Sequence, residues 1–110
     1  MSGLLGIAPL GAIIPGSLCG PRRQELTIDP DDAATVGFCT DDGRHITLFC
    51  TAAFAELRDH DCGKLLTLAR FAGGQRVACE DTGERLAFWI DGRLIFSMPR
   101  GPHNWSLYRA

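Results

Sequence analysis

Residues 34–51, ATVGFCTDDGRHITLFCT, constrain the fold of this chain more than any other stretch. Two β-rich runs flank Asp41, Asp42 and Gly43. A three-residue hairpin loop needs its last residue in the left-handed conformation, which Gly43 adopts without steric cost. That loop pairs Thr40 with Arg44. Counting outward, Phe38 then faces Ile46, Val36 faces Leu48 and Ala34 faces Cys50. All of these apolar side chains fall on one face, so turn chemistry and alternation specify the same register.

The segment TAAFAELRDHDCG (51–63) that follows predicts a helix near 52–61. Thr51 suits an N-cap, the alanines favour helix, and Gly63 suits the position just past the end. Phe54, Leu57 and Leu65 beyond them form an apolar stripe at helical spacing. Upstream, RRQELTIDPDDAA (22–34) reads as a polar bridge with a turn at DPDD and a short strand around 25–28.

Downstream, KLLTLARF, RVACE, RLAFWI and LIFSM are separated by AGGQ, DTGE and DGR, which predicts an antiparallel meander. The first run, 64–71, also suits a helix. The last pair carries a conflict. A two-residue turn at Asp91 and Gly92 pairs Ile90 with Arg93 and Trp89 with Leu94. A three-residue loop instead pairs Ile90 with Leu94 and Phe88 with Phe96, giving a wholly apolar face. In either register Trp89 and Ile95 leave the second face apolar too. The expected architecture is therefore α+β: mostly antiparallel sheet, hairpin plus meander, open or closed toward a barrel, with one helix.

One helix cannot cover both faces of such a sheet. The remaining covers are the chain ends. Residues 3–20, GLLGIAPLGAIIPGSLCG, carry no charge. No cation precedes the apolar part, Pro9 and Pro15 interrupt it, and bulky Leu18 precedes Cys19, so neither an export signal nor a lipoprotein signal fits. Proline and glycine also oppose a membrane-spanning helix. What remains is an extended apolar arm whose Leu4, Leu5, Ile7, Leu10, Ile13 and Ile14 need a surface to cover. The C-terminal PRGPHNWSLYRA supplies Trp105 and Tyr108 in the same role. The chain thus divides into an arm (1–21), one α+β domain (22–99) and an aromatic tail (100–110).

Composition limits function. A chain of 110 residues makes one modest core, and 45% hydrophobic with 22% charged residues argues against wholesale disorder. Net charge is −2 with acids and bases interleaved, so no basic stripe awaits nucleic acid. Five cysteines at wide spacings read as reduced thiols, in the cytoplasm or inside an assembled particle. Cys39, Cys50 and Cys79 read as small buried hydrophobes.

Catalytic signals are thin. Gly63 and Lys64 lack the rest of a phosphate loop, and the paired acids all fall at turns. The candidates for nucleophile or metal chemistry are Cys62, His60 and His45, with no metal site or cofactor implied. The leading expectation is a non-enzymatic protein-binding or assembly subunit, such as a virion component or a regulator. Its partner would be itself or another protein chain, not a nucleic acid or a membrane. The alternatives are a small thiol- or metal-dependent enzyme centred on Cys62 and His60, and a small-ligand domain. The latter would hold an apolar pocket between sheet and helix, lined by Phe38, Phe54, Phe88 and Phe96.

Overall fold

The computed structural model describes residues 12–13, 22–61 and 64–110. These form β1 (Ala12–Ile13), β2 (Arg22–Thr27), β3 (Ala33–Cys39), β4 (His45–Thr51), β5 (Phe54–Asp61), β6 (Lys64–Ala72), β7 (Arg76–Asp81), β8 (Arg85–Ile90), β9 (Arg93–Pro99) and β10 (Ser106–Arg109). The strands build two antiparallel sheets, one in the order β1-β10-β3-β4-β5-β6 and one in the order β2-β7-β8-β9. The architecture is an all-β sandwich rather than a closed barrel. No helix occurs among the described residues, hence none long and apolar enough to cross a membrane.

The β3–β4 hairpin has the register its turn dictates: Phe38 lies opposite Ile46, Val36 opposite Leu48 and Ala34 opposite Cys50. The Thr40 amide donates to the Arg44 carbonyl at 2.9 Å, and Gly43 sits at φ 100°.

The expected helix over 52–61 is instead strand β5, so the fold is all-β and not α+β. The Thr51 hydroxyl does accept the amides of Ala53 (3.2 Å) and Phe54 (3.1 Å), as an N-cap would, but it closes a turn between strands. Beyond that turn the side chains alternate between the two faces, although Glu56, held by Arg58 and Arg70, is itself buried. Ala55 and Leu57 enter the core, while Glu56, Arg58 and His60 fall on the other face. Pairing with β4 on one side and β6 on the other overrides the helical propensity of the alanines.

Run 64–71 is also a strand, yet it stays in the sheet of β5 and does not begin the meander. The chain changes sheets after β6, at Gly73 and Gly74. A Cβ on Gly73 would stand 2.2 Å from the Thr51 carbonyl oxygen and 2.5 Å from the Phe54 nitrogen, so only glycine passes there. On the far side of this crossing the Asp91 carboxylate accepts the amides of Gln75 (3.0 Å) and Arg76 (2.9 Å).

Both registers expected for the last hairpin occur. Near the turn Ile90 pairs with Arg93 and Trp89 with Leu94; beyond a bulge between Phe88 and Trp89, Phe88 pairs with Phe96. Asp91 (φ 51°) and Gly92 (φ 79°) form the left-handed two-residue turn. The extra residue, Ile95, restores the apolar pairing.

The core lies between the sheets. Val36, Phe38, Ile46, Leu48 and Leu57 from one meet Val77, Leu86, Phe88 and Ile90 from the other. A second sheet, rather than a helix, therefore provides the cover. Buried polar groups tie the layers: Gln24 Nε2 on β2 donates to the Tyr108 carbonyl on β10 at 2.7 Å. The Cys79 thiol approaches the Gly37 carbonyl at 3.7 Å.

Candidate functional site

The histidines singled out in the sequence do meet. His45 lies opposite His60 across β4 and β5, their rings stacked at 5.5 Å, and the Tyr108 ring meets His45 edge-on at 5.4 Å. His45 is only 3% exposed, and neither ring nitrogen makes a well-formed hydrogen bond. Burial pushes its pKa below the ordinary histidine value and the His60 charge adds to this, while the His60 backbone opposes it. At neutral pH this favours the neutral imidazole, held in an aromatic stack.

The third candidate, Cys62, lies outside the described residues. The backbone of Cys39 pairs with His45, and burial with help from Asp41 pushes its thiol up to about 11. Cys79 is pushed up to about 12, again by burial. Thiols so disposed are poor nucleophiles. Among the described residues no three His, Cys, Asp or Glu side chains converge as a metal site.

Of the candidate partner-binding residues, Leu4, Leu5, Ile7, Leu10 and Ile14 lie outside the described residues, and Ile13 is described by its backbone pairing with Tyr108. Trp105 and Tyr108 are buried in the protein's own body. The Trp105 indole donates to the Arg100 carbonyl at 2.7 Å, and β10 is an inner strand of the six-stranded sheet. The four phenylalanines expected to line a pocket divide. Phe38 and Phe88 touch edge-to-face at 5.5 Å in the core with Phe96 beside them, whereas Phe54 stands on the opposite face against Phe49. With no helix to form its roof, a pocket lined by all four does not form.

A surface that sequence reasoning missed is the edge strand β6. Its Leu65 (55%), Leu66 (51%) and Leu68 (47%) are half exposed, and five consecutive residues from Lys64 onward face solvent. The cause is geometric. Six strands are about 10 Å wider than four at roughly 4.8 Å per strand, so one edge overhangs its cover. Leu65 pairs with His60 and Leu66 with Asp59, which places the two on opposite faces of the strand. Leu68 is the extra residue of a bulge opposite Leu57 and Arg58. A signal exists in the sequence: adjacent leucines make a strand apolar on both faces, and nothing nearby supplies a neighbour for the second.

Toward its C-terminal end β6 borders a groove of about 220 Å³ between the sheets, lined by Phe71, Gly73, Ile90, Arg93 and Ile95. A second cleft, about 230 Å³ and polar, lies at the sandwich end among Thr40, Asp41, Asp42, His103 and Asn104. On the outer face of the four-stranded sheet the Arg23 guanidinium covers the Trp89 ring at 4.6 Å and pairs with Glu80 at 3.4 Å.

No family model and no curated protein matches the sequence. The fold is similar to that of the carbohydrate-binding module CBM66 from Bacillus subtilis, with a TM-score of 0.54 at 12% identity over 82% of this chain. The chain spans 65% of the length of that module. A looser likeness, TM-score 0.40 at 11% identity, is to sheep galectin-11 in complex with glycerol, covering 84% of this chain and 90% of that one. At such identity the first likeness shows a shared β-sandwich fold and nothing finer.

Proposed function

We propose that this chain acts by binding another protein rather than by catalysis, and that β6 is the contact. One observation carries the reading: an edge strand with three half-exposed leucines and no strand beyond it among the described residues. Natural sheets blunt their edges with charge, proline or cover, because an apolar edge invites another chain to pair. Here three leucines face solvent on such an edge, as at surfaces that meet a partner.

A photo-crosslinking side chain at position 66, compared with one at the exposed position 85, tests this in living cells. Expected is a discrete protein adduct from position 66 that position 85 does not give. Adducts from neither, or equally from both, would remove β6 as the contact.

A second reading is favoured by the shared fold together with the outer face of the four-stranded sheet. There Trp89, Arg23 and Glu80 combine a flat ring with donors and acceptors suited to hydroxyl groups. It makes the chain a glycan binder. A glycan array read with wild type and Trp89→Ala decides it: retention that disappears with the ring supports this reading, and no retention removes it.

A further inference from the structure

We propose that the outer face of the six-stranded sheet, across β10, β3 and β4, is the docking surface for the chain's own leading residues 3–11, GLLGIAPLG. This face lies away from β6 and owes nothing to the contact proposed there.

Register separates the two faces of the sheet. Ile46, Phe38 and Leu107 are cross-strand neighbours that enter the core between the sheets. Alternation therefore turns the rows His45–Cys39–Ser106 and Thr47–Gly37–Tyr108 outward. The four-stranded sheet packs on the inner side, so none of the described strands lies over these rows. An antiparallel sheet covered on one side leaves such a face in water. Here Cys39 (0% exposed), Ser106 (2%) and His45 (3%) are nevertheless buried, and Tyr108 and Thr47 with them. The burial fades along the same face. Opposite Thr47 and His45, Arg58 and His60 on β5 are half-buried, and Leu65, Thr67 and Arg70 on β6 are exposed. What covers the face thus lies at the β1 side of the sheet. The burial belongs to the single chain, so no partner supplies it.

One stretch begins at that side. β1 pairs Ile13 with Tyr108 and Ala12 with Arg109, so the chain before Ala12 starts from this edge. Residues 14–21 must carry the chain to β2 in the other sheet, and 62–63 join β5 to β6 at the exposed side. β4 lies three strands from β1, about 14 Å at roughly 4.8 Å per strand, within the ~30 Å that nine extended residues reach. The chemistry agrees. Residues 3–11 carry no charge, and Leu4, Leu5, Ile7 and Leu10 are large aliphatics. The face offers them the rings of His45 and Tyr108 and the Cys39 thiol. A charged segment laid over these groups would lose its hydration without gaining an ion partner. The pairing of β1 adds main-chain hydrogen bonds to the apolar contact.

A photo-crosslinking side chain at position 7 of the purified full chain, with isotope-labelled and unlabelled copies mixed, tests this. Expected are adducts within one chain to residues 35–39, 45–49 or 106–109. Adducts joining labelled to unlabelled chains, adducts elsewhere in the molecule, or no adduct overturn it. A second measurement reads the face itself. In Leu4→Asp with Leu5→Asp and Ile7→Asp, alkylation of Cys39 should run about tenfold faster than in the wild type, while Cys50 and Cys79, between the sheets, stay unlabelled. Cys39 labelling at the wild-type rate overturns the docking. Labelling of all three cysteines marks global unfolding of that variant, and the adducts from position 7 then decide.

Discussion

Arg100 grips Asp81 with both prongs of its guanidinium, Nη2 to Oδ2 at 2.9 Å and Nε to Oδ1 at 3.1 Å. Asp81 is 2% exposed and its Oδ1 also accepts the Gly83 amide at 2.9 Å. The Arg100 carbonyl in turn accepts the Trp105 indole. The pair thus ties the end of β7 to the segment that delivers β10. Removing one partner strands the other charge, which costs about 3–5 kcal/mol when fully buried. Asp81→Ala and Arg100→Ala are each expected to cost about 3 kcal/mol, since the Arg100 side chain stays 22% exposed. Asp81→Leu with Arg100→Met recovers most of the loss. Urea unfolding of the three variants measures this.

The turn at Asp91 and Gly92 carries more than β8 and β9. Asp91 also holds the two amides that follow the sheet crossing. Asp91→Ala leaves them without their partner and strains a residue at φ 51°, an expected loss of about 2 kcal/mol. Asp91→Asn tolerates the backbone and is expected to cost about half as much. Thermal melts of the two variants separate the backbone contribution from the hydrogen bonds.

Cys39, Cys50 and Cys79 are free and buried, and burial raises each thiol above its ordinary value. Alkylation at neutral pH, mapped by mass spectrometry, is expected to leave these positions unmodified in the folded protein and to label them after denaturation. Native labelling of Cys79 faster than global unfolding would contradict its placement in the core.

His45 gives stability a pH dependence of known sign. Its folded pKa is lowered from 6.5, so the fold favours the neutral ring. Above about pH 6.5 both states are neutral and the group contributes nothing to the slope. As pH falls below that value the unfolded chain takes up a proton first, and stability drops until the folded ring also titrates. His60, Tyr108, Cys39, Arg44 and Asp59 surround the site and stay in place in His45→Phe. That variant is expected to flatten the decline that sets in as pH falls through about 6.5 in urea melts.

What can be read from the sequence is local. The β3–β4 register follows from one glycine and one alternation, and both are visible within 34–51. The last hairpin is legible as a contradiction, which the molecule resolves by placing Ile95 in a bulge and so keeping both the turn and the apolar pairing. The 52–61 segment misleads because its N-capping threonine and alanines are genuine helix signals. What overrules them is strand pairing on both flanks, a nonlocal fact.

The same limit hides the candidate surface. Leu66 reads as core in any strand, and only the difference in width between two sheets exposes it. Conversely, Trp105 and Tyr108 read as spare apolar surface because the strand that inserts them beside β3 begins more than sixty residues later in the chain. His45 and His60 are neighbours, as a shared site would require, but the burial of His45 is set by the fold around it and is not legible in the sequence.

The leucines of β6 provide the sharpest separation between folding and binding. A half-exposed side chain on an edge strand loses little when shortened, because most of its surface already meets water. Leu65→Thr, Leu66→Thr and Leu68→Thr are each expected to change stability by less than about 0.5 kcal/mol, and threonine suits a strand. Leu57→Ala and Phe88→Ala, wholly buried between the sheets, are expected to cost about 3–5 kcal/mol. If the protein used its β6 leucines for stability, the first set would approach the second in chemical unfolding. If they serve a partner, the triple threonine variant melts with the wild type and is more soluble, and the Leu65→Thr, Leu68→Thr pair no longer lets position 66 give its crosslinked adduct. An unchanged melt without the adduct is what an apolar binding edge predicts and a slack piece of core does not.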